Sequence, residues 1–319
     1  MPINPEKGKP YKHEDYSAAI IREFMTDVID NHPDNGNYGI GANDVADLIE
    51  NRGLKARQLF LRQIISGQLD ADRADYLLRD SYHLGVQYGR YDLTRLLVTL
   101  AAASDPETGA PLLAIEEGGA HAAEGLIWAR FQMFTQVYFH KTRVAYDHHI
   151  ANAMRVLLAE AQADAGLAQP DAFPPPTSAE NLKAYLSWTD WRVLGLLEGG
   201  RGGEHGEILR SRQHYRMVYQ TPDVVEPEEA LHLEKILESL GDLVLHVGRA
   251  ETSWYKLDGE IRIVTDWPAP RHLVPLSRYS PAVAGMRASN KRMLYVSPER
   301  RAEAMRILET IGREGTHES

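Results

Sequence analysis

One short stretch of this sequence, residues 66–89, concentrates acidic, basic and aromatic side chains that could carry out chemistry. If the stretch is helical from Ala71 onward, six of these residues lie along one stripe, because they follow the first at offsets of 3, 4, 7, 8 and 11. They are Asp72, Asp75, Tyr76, Arg79, Asp80 and His83. Three carboxylates on one face repel one another unless cations, a metal ion or hydrogen-bond donors compensate. The pattern indicates either a metal- or phosphate-binding face or a solvated helix surface with local Asp–Arg pairs.

A second patch combines two cations with two aromatic rings. Arg130, Phe134, Tyr138 and Lys141 share a stripe at offsets of 4, 8 and 11, which puts one cation at each end and the rings between them. A polyphosphate needs several fixed cations, so two helices that face each other with these stripes could bind one. The alternative is an ordinary amphipathic core helix whose basic side chains extend to solvent.

The histidines offer a third set of candidates. His13 is followed by Glu14 near the N-terminus, a pair that in isolation is typical of exposed surface. His148 and His149 are adjacent to each other, and His205 has no second ligand at helical spacing. No adjacent His-Asp pair occurs in the sequence, so we expect the histidines to supply no metal site of that type.

The segments that carry these candidate residues mostly show the periodicity of helices. The apolar pattern predicts helices at 16–30, at 43–51 and at 181–197, a helical region from Leu59 to Ala102 interrupted at Gly85 and Gly89, and one long helix from about Gly118 to Ala165. Turn or loop residues fill 31–41, 105–111 and 169–178, where Pro and Gly disfavour helix.

The sequence pattern changes beyond Arg210, where short segments of alternating apolar and polar residues predict strands. These strand segments are 214–221, 242–249, 260–267 and 292–298, with helices at 228–240 and 298–311. We therefore predict a mainly α fold, in which a helical domain at residues 1–200 is followed by a smaller α+β unit at 201–319.

Composition excludes several classes of protein. With no cysteine in 319 residues, the chain has no disulfide or thiolate zinc site, so a metal ion must be held by His, Asp or Glu. A formal net charge of -10 argues against broad binding of nucleic acid. No signal peptide or apolar stretch of spanning length is present, so we expect a cytoplasmic protein without a membrane partner.

The acidic stretch resembles a motif of HD-domain metal-dependent phosphohydrolases, in particular the deoxynucleoside triphosphate triphosphohydrolase branch. The family pattern D-x-D-[KR]-x-D-Y, followed by R-D-x-x-H-x-G, stands here as Asp70, Asp72, Arg73, Asp75, Tyr76, Arg79, Asp80, His83 and Gly85. A second family helix of the form R-x-x-x-x-x-x-x-Y-x-H-K resembles Arg130, Tyr138, His140 and Lys141. The family's HE pair resembles His13 and Glu14, and the likeness continues into the strand-bearing tail.

The resemblance implies a role for each matching residue. Asp72 would be a metal ligand, and Arg73 a cation near the phosphates. The remaining sugar, nucleotide and phosphate contacts would be Tyr76, Asp80, Arg130, Tyr138 and Lys141. His13 would be the catalytic acid beside the leaving oxygen.

The family's opening helices, which carry a first His and an adjacent His-Asp as three of four metal ligands, have no counterpart in this sequence. We therefore expect an HD-type domain that is N-terminally incomplete and no hydrolysis by this chain alone, because one carboxylate cannot hold a hydrolytic metal ion. Three explanations stay open: a fragment or misplaced start, a second polypeptide that supplies the helices, or a degenerate relative that binds nucleotide or phosphate as a regulatory protein. A scaffold whose helices only assemble with a partner is a further possibility.

The resemblance also implies a cofactor and partners. The cofactor would be a divalent metal ion, which could be manganese, magnesium, iron, nickel or zinc. The substrate would be a nucleotide, a deoxynucleoside triphosphate in the first place, split into a nucleoside and triphosphate. Relatives of this kind assemble, so we expect a homo-oligomer, a dimer or larger.

Overall fold

The computed structural model of the protein describes residues 1–54, 56–163, 169–255, 260–267 and 269–315, without the side chains of residues 56–57 and 312–315. Its mainly α body with small sheets confirms the predicted fold class. No helix in these ranges is long and apolar enough to cross a membrane.

A short hairpin and four helices form the N-terminal part. The strands are β1 (Ile3–Asn4) and β2 (Lys9–Pro10), and the helices are α1 (His13–Phe24), α2 (Thr26–Asp30), α3 (Pro33–Tyr38) and α4 (Ala42–Glu50). The helix predicted at 16–30 is thus divided at Met25, and the loop predicted at 31–41 contains α3. Pro33 explains this helix, because proline is pre-organised for the first helical turn, and the His32 side chain caps it by accepting a hydrogen bond from the Asp34 amide.

Within the described ranges, eight further helices make up the body. They are α5 (Ala56–Ser66), α6 (Ala71–His83), α7 (Leu93–Val98), α8 (Ala120–Met133), α9 (Lys141–Ala161), α10 (Ala179–Leu186), α11 (Asp190–Glu198) and α12 (Gly203–Ser211). The single helix predicted at 181–197 is divided into α10 and α11, because Thr189 starts a new helix by accepting a hydrogen bond from the Arg192 amide. The predicted loop before Ser178 is confirmed over residues 169–178.

The long helix predicted from Gly118 to Ala165 is wrong in its middle. A π-helical turn at Phe134–Tyr138 follows α8, and the chain leaves helical geometry at Phe139 before His140 caps α9. Residues 164 and 165 lie outside the described ranges. The interruption rotates α9 relative to α8, so the stripe predicted from Arg130 does not continue along one straight helix.

The helical pattern predicted as far as Ala102 is also wrong at its end. Residues from Leu100 form an antiparallel hairpin, β3 (Leu100–Ser104) and β4 (Pro111–Glu116), whose connection is the predicted turn. Strand β4 then pairs in parallel with β7 (Arg262–Thr265), which pairs with β8 (His272–Pro275). This four-stranded sheet joins strands on both sides of the boundary predicted at residue 200, so the body and the tail share a sheet.

The tail contains the predicted strands and helices. A second, antiparallel sheet has the order β5 (Arg216–Gln220), β9 (Ser289–Val296), β6 (His246–Thr252). The tail's helices are α13 (Pro227–Leu240), α14 (Leu276–Tyr279), α15 (Pro281–Ala284) and α16 (Arg301–Gly315).

The main core ties the site-bearing helices to the first sheet. Leu77 of α6, Leu126 and Met133 of α8, Ile115 of β4 and Ile263 of β7 are all buried in one cluster. Each such side chain contributes about 1.5–3 kcal/mol by leaving water. The cluster fixes α6 and α8 side by side, which sets the positions of the candidate residues on them.

Candidate functional site

A cavity of about 510 Å³ opens where α1, α4, α5, α6 and α8 meet. It brings together five of the residues singled out from the sequence: His13, Asp72, Arg73, Tyr76 and Arg130. The expectation that the acidic stretch and the Arg130 helix face one another is therefore confirmed for these residues. Glu14, Arg62 and Asp70 also line the cavity, and sequence reasoning gave them no role in it.

Asp70 starts α6 and fixes the position of Arg73. Its side chain accepts a hydrogen bond of 2.7 Å from the Arg73 amide, as a helix N-cap does, and the Arg73 Nε lies 3.6 Å from its Oδ2. The Arg73 Nη1 donates to the Gly67 carbonyl at 2.6 Å. Burial raises the pKa of the Asp70 carboxyl, and Arg73 offsets this only in part. Asp70 could have been found from the sequence as a cap residue directly before an apolar-periodic stretch.

Arg130 reaches the cavity from α8 and is anchored on its other side. Its Nη1 donates to the Ser253 carbonyl at 3.0 Å and to the Trp254 carbonyl at 2.8 Å, while the guanidinium lies 5.3 Å from the centre of the Phe134 ring. Burial lowers the pKa of Arg130, and the charge of Arg73 lowers it further, yet arginine stays protonated at neutral pH. Its Nε is buried and has no hydrogen-bond partner among the described residues.

Two tyrosines connect Arg130 to Asp80. The Tyr76 hydroxyl interacts with the Arg130 guanidinium, and its ring packs edge-on against Tyr138 with the centroids 6.1 Å apart. The Tyr138 hydroxyl donates a 2.6 Å hydrogen bond to Oδ2 of Asp80. Burial raises the pKa of Tyr138 and the Asp80 carboxylate raises it further, so the hydroxyl stays a donor. Asp80 and Tyr138 thus stand behind the cavity wall and do not line it.

Lys141 is not brought to this cavity. It is exposed and lines a separate cavity of about 280 Å³ together with His214, Arg216 and Arg301. The physical reason is that regular helical spacing ends after Arg130: a π-helical turn occupies Phe134–Tyr138, and the chain leaves helical geometry at Phe139 before α9 begins at Lys141. A straight α-helix was assumed when the four residues were assigned to one stripe.

The outer residues of the acidic stretch form a local pair. Both oxygens of Asp75 accept hydrogen bonds from Arg79, at 2.8 and 2.9 Å, and both side chains are exposed. Here the alternative interpretation, a solvated face with an Asp–Arg pair, is confirmed. Of the three carboxylates in the stripe, only Asp72 lines the cavity.

His13 lies at the rim. Its side chain is 80% exposed, and its Nδ1 is 3.4 Å from an oxygen of Glu14. This exposure leaves the imidazole free to approach a ligand in the cavity.

A second cavity of about 400 Å³ adjoins the first and shares Glu14 and Arg62 with it. Lys7, Lys9 and Lys12 line it. Arg62 forms no ion pair with any residue in the described ranges. The two cavities are therefore neighbours, and both basic and acidic side chains line each of them.

The described residues around Asp72 do not fit a hydrolytic metal ion by themselves. Among them, the His, Asp and Glu side chains that converge in threes include no group with Asp72, and Asp70 is engaged by Arg73. Such an ion needs three or more ligands in fixed geometry. Asp72 could therefore contribute one ligand of such a site and no more.

The converging group lies elsewhere and was missed from the sequence. His148 and His149 of α9 meet His205 of α12, and one ring nitrogen of each lies within 4.8 Å of the others. Burial and the neighbouring imidazoles together lower the pKa of both His148 and His149 to about 4. Helical spacing cannot reveal this meeting, because His205 comes from a different helix.

Comparison with known proteins relates the chain to HD-domain phosphohydrolases. The family model "HD associated region" matches residues 91–171, which include all of α8 and α9. The deoxynucleoside triphosphate triphosphohydrolase SAMHD1 of Gallus gallus is 26% identical over 196 residues, covering 58% of this chain and 30% of that protein. The chain spans only 13–30% of the lengths of the curated relatives that it matches.

Two solved structures share the fold. A hypothetical protein from Aquifex aeolicus superposes with a TM-score of 0.69 at 24% identity, covering 93% of this chain and 72% of that one. A phosphohydrolase from Bacteroides thetaiotaomicron superposes with a TM-score of 0.57 at 20% identity, covering 92% and 82%. At these identities the two likenesses show a shared fold, and the similarity to HD-domain proteins comes from the family match over residues 91–171 and from the SAMHD1 relative.

Proposed function

We propose that this chain binds a nucleotide by its phosphates in the 510 Å³ cavity and forms the substrate-binding part of an HD-type phosphohydrolase site. The observation that carries the proposal is that three arginines, Arg62, Arg73 and Arg130, line the same cavity as Asp72 and Tyr76. A run of phosphates needs several fixed cations, and arginine is suited to it because its planar fork matches pairs of phosphate oxygens.

The anchoring of two arginines supports this role. Arg73 is held by the Gly67 carbonyl and Arg130 by the carbonyls of Ser253 and Trp254, so little side-chain entropy is lost when a ligand binds.

The substrate that we propose is a deoxynucleoside triphosphate, as in the name of the SAMHD1 relative. Tyr76 offers a ring on which a sugar can pack. Asp80 does not line the cavity, and its role would be to hold Tyr138, which packs against Tyr76, by accepting the hydrogen bond from the Tyr138 hydroxyl. The lysine-lined cavity gives room for the outer phosphates.

Asp72 would hold a divalent ion together with ligands that the described residues do not supply. Such an ion would provide a hydroxide at neutral pH and neutralise phosphate charge. His13, at the rim, would be the residue that donates a proton to a leaving oxygen. Because the ligand set around Asp72 is incomplete, we expect the chain assayed alone to bind nucleotide without turning it over.

Calorimetry with the chelator-treated chain tests this proposal. We expect the four deoxynucleoside triphosphates to bind and the corresponding nucleosides, which lack phosphates, not to bind. Arg73→Gln should weaken triphosphate binding about 10-fold or more, since a hydrogen bond to a charged group contributes about 1.5–3 kcal/mol.

Arg79→Gln is the matched control, because Arg79 lies on the same helix but outside the cavity, paired with Asp75. We expect it to bind like the wild type. Equal affinity for nucleosides and triphosphates, or an Arg73→Gln variant that binds like the wild type, would refute the proposed site. If the chain alone hydrolysed a nucleotide in the presence of manganese, only the expectation that its metal ligands are incomplete would be contradicted, and the proposed nucleotide site would stand.

A further inference from the structure

A cluster of imidazoles lies far along the chain from the cavity residues, where α9 and α12 meet the edge of the second sheet. Its members come from α9, from α12 and from β6: His148, His149, His205 and His246. His148 stacks on His246 with the ring centroids 3.9 Å apart, and His149 is fully buried. Nothing in the proposed function requires these four rings.

We propose that His148, His149 and His205 form a binding site for a borderline divalent metal ion of the Zn²⁺ type. One ring nitrogen of each lies within 4.8 Å of the other two, and Nδ1 of His149 is 2.8 Å from Nδ1 of His205. Three imidazoles around a tetrahedral zinc ion at about 2.0–2.1 Å place their nitrogens roughly 3.3 Å apart. The observed spacing is close enough that small rotations of the rings produce this geometry.

The chemistry of the ligands selects the ion. All three are imidazoles, which suit zinc, copper, nickel and cobalt, whereas magnesium and manganese prefer oxygen ligands. His148 and His205 are half-buried, so an ion can reach the site, while His149 closes its inner side. The fourth position is open to water or to the His246 ring, which adjoins His148.

Two hydrogen bonds of His149 in the metal-free protein must be exchanged when the ion binds. The Tyr215 amide donates to Nε2 of His149 at 3.1 Å, so the neutral ring carries its proton on Nδ1 and donates it towards His205. Binding through Nδ1 moves this proton to Nε2, so the bond towards His205 and the bond from the Tyr215 amide are both lost. Two neutral hydrogen bonds stabilise a protein far less than a set of zinc–imidazole bonds, so the exchange favours the ion.

The site would join two helices to the second sheet, because α9 also packs on β5 and β6. A bound ion adds its binding free energy to that of folding, since the unfolded chain does not hold the ligands together. We therefore expect Zn²⁺ to raise the melting temperature of the chain.

Calorimetric titration of the metal-free chain with zinc chloride, together with the visible spectrum of bound Co²⁺, tests the proposal. We expect one tightly bound Zn²⁺ per chain, a tetrahedral cobalt spectrum and no comparable binding of Mg²⁺. His205→Gln and His148→Gln should each weaken zinc binding at least about 100-fold, since even the loss of a residue that only supports a ligand costs 10–100-fold.

Two variants separate this site from other sources of binding. His121→Gln removes an imidazole that is 97% exposed and distant in sequence, and it should leave zinc binding unchanged. Asp72→Asn should also leave it unchanged, which distinguishes the histidine site from the phosphohydrolase cavity. Circular dichroism checks that the His148→Gln and His205→Gln variants fold. Both side chains are only half-buried, so the zinc affinity of whichever variant folds decides the test. Absence of zinc binding to the wild type, or wild-type affinity in a folded variant, would overturn the proposal.

Discussion

Replacement of Arg130 by methionine tests how the cavity is built. Methionine keeps most of the aliphatic volume but removes both hydrogen bonds from Nη1 to the carbonyls of Ser253 and Trp254, at 3.0 and 2.8 Å. Leaving two partly buried carbonyls without a donor costs about 1–3 kcal/mol each. Burial of the guanidinium is itself unfavourable, as the lowered pKa of Arg130 indicates, and its removal returns part of this cost. We expect a net loss of about 2 kcal/mol in the free energy of unfolding.

Urea denaturation followed by tryptophan fluorescence and circular dichroism measures this change. Trp254 packs edge-on against Phe131 with the centroids 5.0 Å apart, so its emission reports on the anchored segment directly. Arg130→Lys keeps a charge that can reach one carbonyl, and it should lie between wild type and methionine. Arg79→Met is the control, because that arginine is exposed and its loss should leave stability unchanged. An Arg130→Met variant within about 0.5 kcal/mol of the wild type would show that water replaces the guanidinium, and the anchoring argument would fail.

Three further substitutions probe the elements around the cavity. Tyr138→Phe removes the donor to Asp80 and should lower the free energy of unfolding by about 1–2 kcal/mol in urea; an unchanged midpoint would contradict this. Asp70→Asn keeps a helix cap but cannot titrate. Because burial raises the pKa of Asp70, the folded state holds the carboxyl proton more tightly than the unfolded state does. The wild type should therefore gain stability relative to the variant as the pH falls through the raised pKa towards 3.8. A gain in stability as the pH rises would exclude this cause. Gly89→Ala would place a Cβ 2.1 Å from the Leu77 carbonyl oxygen, and thermal melts should show a loss of about 3 kcal/mol or more.

The position of α6 could be predicted from the sequence because the residues that determine it lie within the helix and directly before it. Asp70 is a cap residue, the apolar positions recur at helical spacing, and Leu77 falls on the buried side. The neighbouring hairpin could not be predicted in this way. The residues of β3 alternate between exposed and half-buried, but three of its five are alanines, which favour helix, and β4 is held in place by β7, about 150 residues further on.

In the candidate site, too, the residues that share one helix could be predicted from the sequence, and those brought together from separate elements could not. Asp72, Arg73 and Tyr76 share one uninterrupted helix, where offsets of 4 and 3 to Tyr76 put the other two beside it on the helix surface. The same helical spacing places Lys141 on the stripe of Arg130, but a π-helical turn and the break at Phe139 lie between the two residues, and Lys141 lines another cavity. His205 shows the opposite failure, since no periodicity links it to the histidines of α9. Spacing in the sequence predicts a shared face of a helix only where the backbone between the residues is a regular helix. The arginine and tyrosine contacts at the cavity therefore rest on firmer physical ground than any role that depends on counting across residues 134–140.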